Sequence, residues 1–148
     1  MTAQERIKLE KIKEQHQYVI LTINQDGKVL NIENDWNKPL STSNTFDINN
    51  PCNFTTIVNK GKNVTWIGIK DPKCADDLTI NIEYVLMKNT KNKQILKKRN
   101  YNRGLADTVT GKVKNNGVKN GEIEDYYIIY SVNGKAFILD PKLEGHGF

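Results

Sequence analysis

The residues able to do chemistry are few and far apart. His16 and His146 lie near opposite ends of a 148-residue chain, and neither belongs to a nucleophile motif. Nucleophilic catalysis needs a Ser or Cys with a base in hydrogen-bond reach, so this pattern argues against it. Cys52, Cys74, His16 and His146 are zinc ligands by type, but no paired C-x2-C spacing brings two of them together. Asp71, Asp76 and Asp77 form the better metal candidate, because three neighbouring carboxylates supply the hard oxygens that calcium takes. They lack the glycine-punctuated alternation of an EF-hand, and Lys70 and Lys73 stand beside them, so a solvated loop with local ion pairs is the simpler expectation. Asp35, Asp47, Glu83, Asp107, Glu122 and Glu124 are the carboxylates from which a glycosidase pair would have to be assembled in space. Nothing in their spacing singles out two. There is no Walker loop and no Rossmann glycine pattern. The sequence therefore predicts no catalytic residue, no enzyme activity and no cofactor.

Binding has more to work with. Lys88, Lys91, Lys93, Lys97, Lys98, Arg99 and Arg103 form a basic run that contains Tyr101 and meets no acid before Asp107. Such a run can neutralise phosphates while an aromatic stacks on a base. Only one aromatic is interleaved, however, and lysines also guard a sheet edge against unwanted pairing. Nucleic acid is thus a disfavoured partner. Trp36, Tyr101 or Tyr127 is the candidate stacking platform for a sugar or other small polar ligand. The formal charge of +5 comes from 22 basic and 17 acidic residues interspersed along the chain, which favours solubility over a nucleic-acid role.

The elements that would position these residues are mostly strands. Tyr126–Tyr130 is apolar or aromatic on both faces, Asn133-Gly134 tolerates the positive φ of a type I′ turn, and Lys135–Leu139 returns with Phe137, Ile138 and Leu139 apolar. That pattern predicts a hairpin buried on both sides. Tyr18–Ile23 and Val29–Ile32 flank Asp26-Gly27, a second hairpin signal. Phe54–Val58 and Asn63–Ile69 are strands on either side of Asn59-Lys60-Gly61-Lys62, and Trp66 is expected in the core. Leu78, Ile80, Ile82, Tyr84 and Leu86 alternate with polar residues, giving a strand with one wet face. Gln94–Lys98 allows a short strand, and Val109, Val113 and Val118 allow one short edge pairing. The segment 34–51 is too long and polar for an ordinary connection, with Trp36, Phe46 and Ile48 as its apolar anchors. Thr2-Ala3-Gln4-Glu5 matches a capping box, and Ile7, Leu9 and Ile12 give a narrow stripe behind it. Residues 1–16 are therefore expected as a short helical arm and residues 17–148 as a single domain, an antiparallel β-sandwich of cupredoxin-like or immunoglobulin-like type.

Two stretches resemble a known family. Lys60-Gly61-Lys62-Asn63-Val64-Thr65-Trp66 is similar to the K-G-x-x-V-x-W strand start of cupredoxin-like sandwiches. The run from Tyr126 through Asn133-Gly134 to Asp140-Pro141-Lys142-Leu143 looks like the C-terminal end of the bacterial PixA/AidA inclusion-body proteins. The resemblance covers residues 53–69 and 124–143, and it implies a sandwich with no established enzymatic activity. The Lys/Asn-rich segment and the charged N-terminal helix depart from that family's pattern. A copper site does not follow from it, since two imidazoles, a thiolate and an axial thioether are not brought to one end, with Met87 in mid-strand.

No apolar h-region occurs in residues 1–20 and no run is long enough for a membrane span, so the chain is expected in the cytoplasm if Met1 is the native start. Reduced, inert cysteines are expected there, with a single Cys52–Cys74 disulfide left open. The function expected is association, by self-assembly or as a structural or accessory subunit of a larger assembly. Ligand or carbohydrate binding through Trp36, Tyr101 or Tyr127 is the alternative.

Overall fold

A computed structural model describes residues 16–34, 46–74, 77–88, 95–104 and 107–146. Residues 1–15 of the expected N-terminal arm, Trp36, Asp76, Lys91 and Lys93 lie outside the described residues, and His16 begins the first strand.

Strands β1 (His16–Ile23), β2 (Val29–Asn34), β4 (Asn63–Lys70) and β7 (Val109–Lys112) make a four-stranded sheet in the order β2-β1-β4-β7. Strands β3 (Thr55–Asn59), β5 (Ile80–Met87), β6 (Asn100–Asn102), β8 (Glu122–Val132), β9 (Lys135–Leu139) and β10 (Lys142–His146) make a six-stranded sheet. Its order is β3-β10-β8-β5-β6, with β9 paired to the second half of β8 on the side where β10 pairs to the first half. The fold is an all-β sandwich, as the strand spacing predicts. A 3-10 turn at Pro51–Asn53 precedes β3.

The sheets are mixed rather than purely antiparallel. β1 runs parallel to β4 over its whole length, and β3 runs parallel to β10. The cause lies at Asn59-Lys60-Gly61-Lys62, which joins β3 of one sheet to β4 of the other instead of closing a hairpin. A hairpin turn forces its strands antiparallel, whereas a chain that crosses between layers leaves direction free. Local bonds pin this crossing: Lys60 N donates to His146 O at 2.9 Å and Gly61 N to Lys114 O at 3.0 Å.

The core lies between the sheets. Val19, Leu21, Ile23, Val64 and Trp66 from one layer meet Ile82, Val85, Tyr126, Ile128 and Tyr130 from the other. Trp66 is fully buried, as expected of it, and its indole N–H donates to the Tyr126 hydroxyl at 3.1 Å. That bond satisfies two polar groups that burial would otherwise leave costly. Val109 and Val113 are also fully buried, and β7 supplies the short edge pairing, against β4. Within 95–98 the pairing reduces to a single bridge from Leu96 to Val113.

Two expectations about side-chain facing are corrected. A β-bulge between Ile82 and Tyr84 inserts Glu83 and reverses the phase of β5. Ile82, Val85 and Met87 therefore point inward, while Tyr84 and Leu86 turn out. The β8–β9 hairpin is covered on one face only. Tyr126, Ile128 and Tyr130 share the buried side as predicted, but Tyr127 and Ile138 are exposed.

Candidate interaction surface on the six-stranded sheet

The bulge at Glu83 and the one-sided hairpin act together on the outer face of the six-stranded sheet. Register aligns Tyr84 of β5 with Ile129 of β8, and Ile129 with Ile138 of β9. Directly paired residues share a face, so these three side chains form one row across three strands. Tyr84 is 46% exposed and Ile138 66% exposed, with Ile129 half-buried between them. Leu86 and Tyr127 form the next pair along the same face, and Tyr127 is again exposed. A contiguous apolar surface of this kind is uncommon on a monomer and marks contact sites.

Ion pairs close the surface at both ends. At one end Lys88 Nζ lies 3.0 Å from Asp140 Oδ2 and 4.5 Å from the centroid of the Tyr127 ring. The Cys52 thiol donates to Asp140 Oδ1 at 2.5 Å. Lys142 reaches both Cys52 O at 3.1 Å and Asp125 Oδ1 at 3.5 Å. These charges tune one another. The thiol bond, aided by the bond from Lys88, holds the Asp140 carboxyl below its usual range. The same carboxylate, by its hydrogen bond above all, raises the Cys52 thiol and keeps it protonated. A protonated thiol is a poor nucleophile, so this cluster is set for structure rather than attack. At the other end Arg103 Nη1 lies 3.1 Å from Glu83 Oε1 and 3.9 Å from Asp107 Oδ1. Asn81, with its amide turned to suit its neighbours, accepts from Arg103 Nη1 at 3.0 Å and donates to Asp107 Oδ1 at 3.2 Å.

The candidate residues named from sequence are dispersed. Tyr101 pairs with Val85, which faces the core, so its ring points inward, against Gly111. Its hydroxyl accepts from Lys98 N at 2.9 Å and lies 3.4 Å from both Lys112 N and Lys112 O. Tyr127 stands on the opposite face of the same sheet. The two therefore do not face one common ligand. Lys97, Lys98 and Arg99 are exposed on a bend before β6, whereas Arg103 is committed to Glu83 and Asp107. The basic run is thus not one strip among the described residues. Asp71 N donates to Ile23 O and Asp71 O accepts from Cys74 N, both at 2.9 Å, which ties this loop to β1. Asp77 is exposed, and among the described residues no three His, Cys, Asp or Glu side chains converge on a metal-sized site. Cys52 and Cys74 are unbridged.

The row Tyr84, Ile129 and Ile138 was not singled out by sequence reasoning. Tyr84 reads as an inward residue in a strict period of two, and only the bulge turns it out. No helix among the described residues is long and apolar enough to cross a membrane. No protein-family model matches the chain, and no curated protein matches it.

Proposed function

We propose that this protein is a non-catalytic sandwich that works by association, docking through the outer face of its six-stranded sheet. The observation that carries the reading is the exposed row Tyr84, Ile129 and Ile138, set between two ion-paired clusters. Interfaces take this form, with an apolar centre rich in aromatics and a charged rim. The resemblance of Lys60–Trp66 and Tyr126–Leu143 to PixA/AidA proteins supports it, since that family has no established enzymatic activity. The protonated Cys52 thiol and the internal commitments of Tyr101 and Arg103 favour association over catalysis, stacking on a ligand or phosphate binding.

The test compares the wild-type protein with a Tyr84→Ser/Ile138→Ser double variant by native mass spectrometry of extracts from the source cells. The wild-type chain should be recovered in an assembly, with itself or with another protein. The variant should lose most of that assembly while keeping its melting temperature. Two truncations at an interface centre cost about 1–2 kcal/mol each, so affinity should fall by roughly tenfold or more. A wild-type chain recovered only at the mass of one copy, at every concentration, sinks the reading.

A further inference from the structure

We infer that β9 is an assembly edge, on which two copies of this chain pair antiparallel about a twofold axis through Phe137. The inference rests on the association reading above and names both its partner and its contact.

Backbone geometry sets the edge. The Asn133-Gly134 turn makes Val132 and Lys135 the first pair of a two-residue hairpin, which is a hydrogen-bonded pair. Alternation along an antiparallel ladder then directs the amide and carbonyl of Lys135, Phe137 and Leu139 toward β8. Those of Ala136 and Ile138 point away from it. β8 is the one strand that β9 pairs with among the described residues, and Ala136 and Ile138 are both exposed. Four backbone groups in a row are therefore presented to solvent.

Natural edges are guarded by charge, proline, bulges or brevity. β6 follows that rule, being three residues long and preceded by exposed Lys97, Lys98 and Arg99. β9 does not. Its register against β8 is unbroken from Lys135 to Leu139, its only charge is Lys135 at its start, and Ile138 stands 66% exposed within it.

The strand fits its own image. With the axis at Phe137, Ala136 of each copy faces Ile138 of the other, and the outward groups of both form closed hydrogen-bonded pairs. A small residue opposite a large one lets the two outer faces close without collision. The pairing also sets the two rows of Tyr84, Ile129 and Ile138 side by side across the axis, offset by two residues. A symmetric contact of this kind closes on itself as a dimer and leaves no free β9 edge.

The deciding variant is Ala136→Pro. Its N–H makes no bond to β8, so proline takes a donor from the new pairing and none from the hairpin. Ile138→Lys, which places a charge at the paired edge, is the second variant should the first fail to fold. Sedimentation at micromolar concentration should give a wild-type dimer, and a monomer for each folded variant with melting shifted by no more than a few degrees. A wild-type protein that is monomeric by itself overturns the second copy as partner, while the association reading stands if source extracts still hold it in a complex. A dimer that survives Ala136→Pro, or Ile138→Lys where the first does not fold, overturns pairing through β9 and leaves a dimer formed by the sheet face.

Discussion

The β1–β2 hairpin turns at Asp26-Gly27 and the β8–β9 hairpin at Asn133-Gly134, and both carry apolar residues on both faces. Their surroundings are opposite. In β1, Val19, Leu21 and Ile23 enter the main core while Tyr18 and Ile20, with Ile67 of β4, form a second buried cluster on the other face. In β8–β9 the second face stays open along Ile129 and Ile138. The tips differ in the same sense. Gly27 is buried with φ of +85°, its carbonyl accepting from the Tyr130 hydroxyl at 2.6 Å and its α-carbon against the Phe137 ring. Tyr130 and Phe137 stack at 5.5 Å between centroids to make that seat. Gly134, with φ of +83°, has nothing within 4 Å of where a Cβ would stand. One hairpin is thus a buried structural pin, and the other presents a free face and edge.

The largest effect should separate the two faces of β8. Ile128→Asp puts a carboxylate into a fully buried site with no partner, and should cost about 4 kcal/mol or more and prevent folding. Ile129→Asp, on the open face, should cost about 1 kcal/mol and leave a cooperative fold. Circular dichroism melts of the two purified proteins measure this. Equal destabilisation would break the assignment of an inner and an outer face.

The two turn glycines give the next contrast. Gly27→Ala must adopt a left-handed backbone and drive a methyl into the Phe137 ring, so something must shift. A left-handed backbone costs about 1–2 kcal/mol for a non-glycine residue and overpacking about 1–3 kcal/mol, so the sum is about 2–5 kcal/mol. Gly134→Ala has the backbone cost without the collision, about 1–2 kcal/mol. Urea unfolding of the pair resolves the difference, and matched values would mean that the β1–β2 tip does not seat on Phe137.

Tyr130→Phe removes the bond to the Gly27 carbonyl and leaves a buried acceptor unpaired, at about 1–2 kcal/mol. Burial pushes the Tyr130 hydroxyl up to about 12. Its protonated form is the one that folding favours, so this contribution is intact below the ordinary tyrosine value and is lost as pH rises from about 10 toward 12. Wild-type stability should therefore fall over that window more steeply than that of Tyr130→Phe. Parallel pH profiles for the two would place the hydroxyl in water.

Strand existence was legible because alternation and turn chemistry are local. The Asn133-Gly134 turn has positive φ at both residues, as a type I′ hairpin requires. At Asp26-Gly27 only the glycine is left-handed, and the Asn24 side chain accepts from Asp26 N and Lys28 N to shape a longer turn. What sequence could not give was set at a distance. Glu83 carries no mark of a bulge, yet it moves Val85 into the core and Tyr84 out. Lys60-Gly61 reads as a turn whether it closes a hairpin or crosses between sheets. Whether an apolar face is covered depends on the layer opposite it, which is why β1 and β8–β9 look alike in sequence. The candidate surface was illegible for the same reasons, since its row exists only in the register of three strands.

The smallest effect tests how lightly the β8–β9 tip is held. Lys135 Nζ lies 5.5 Å from the centroid of the Phe137 ring, on an exposed residue at the start of β9. Such a contact at an exposed site is worth about 0.5–1 kcal/mol at best, and ordering a long side chain offsets part of it. Lys135→Ala should therefore change the unfolding free energy by about 0.5 kcal/mol or less. A Lys135→Ala protein that unfolds with a large loss of stability would mean that this tip is pinned as firmly as the one at Gly27, and the contrast between the two hairpins would fail.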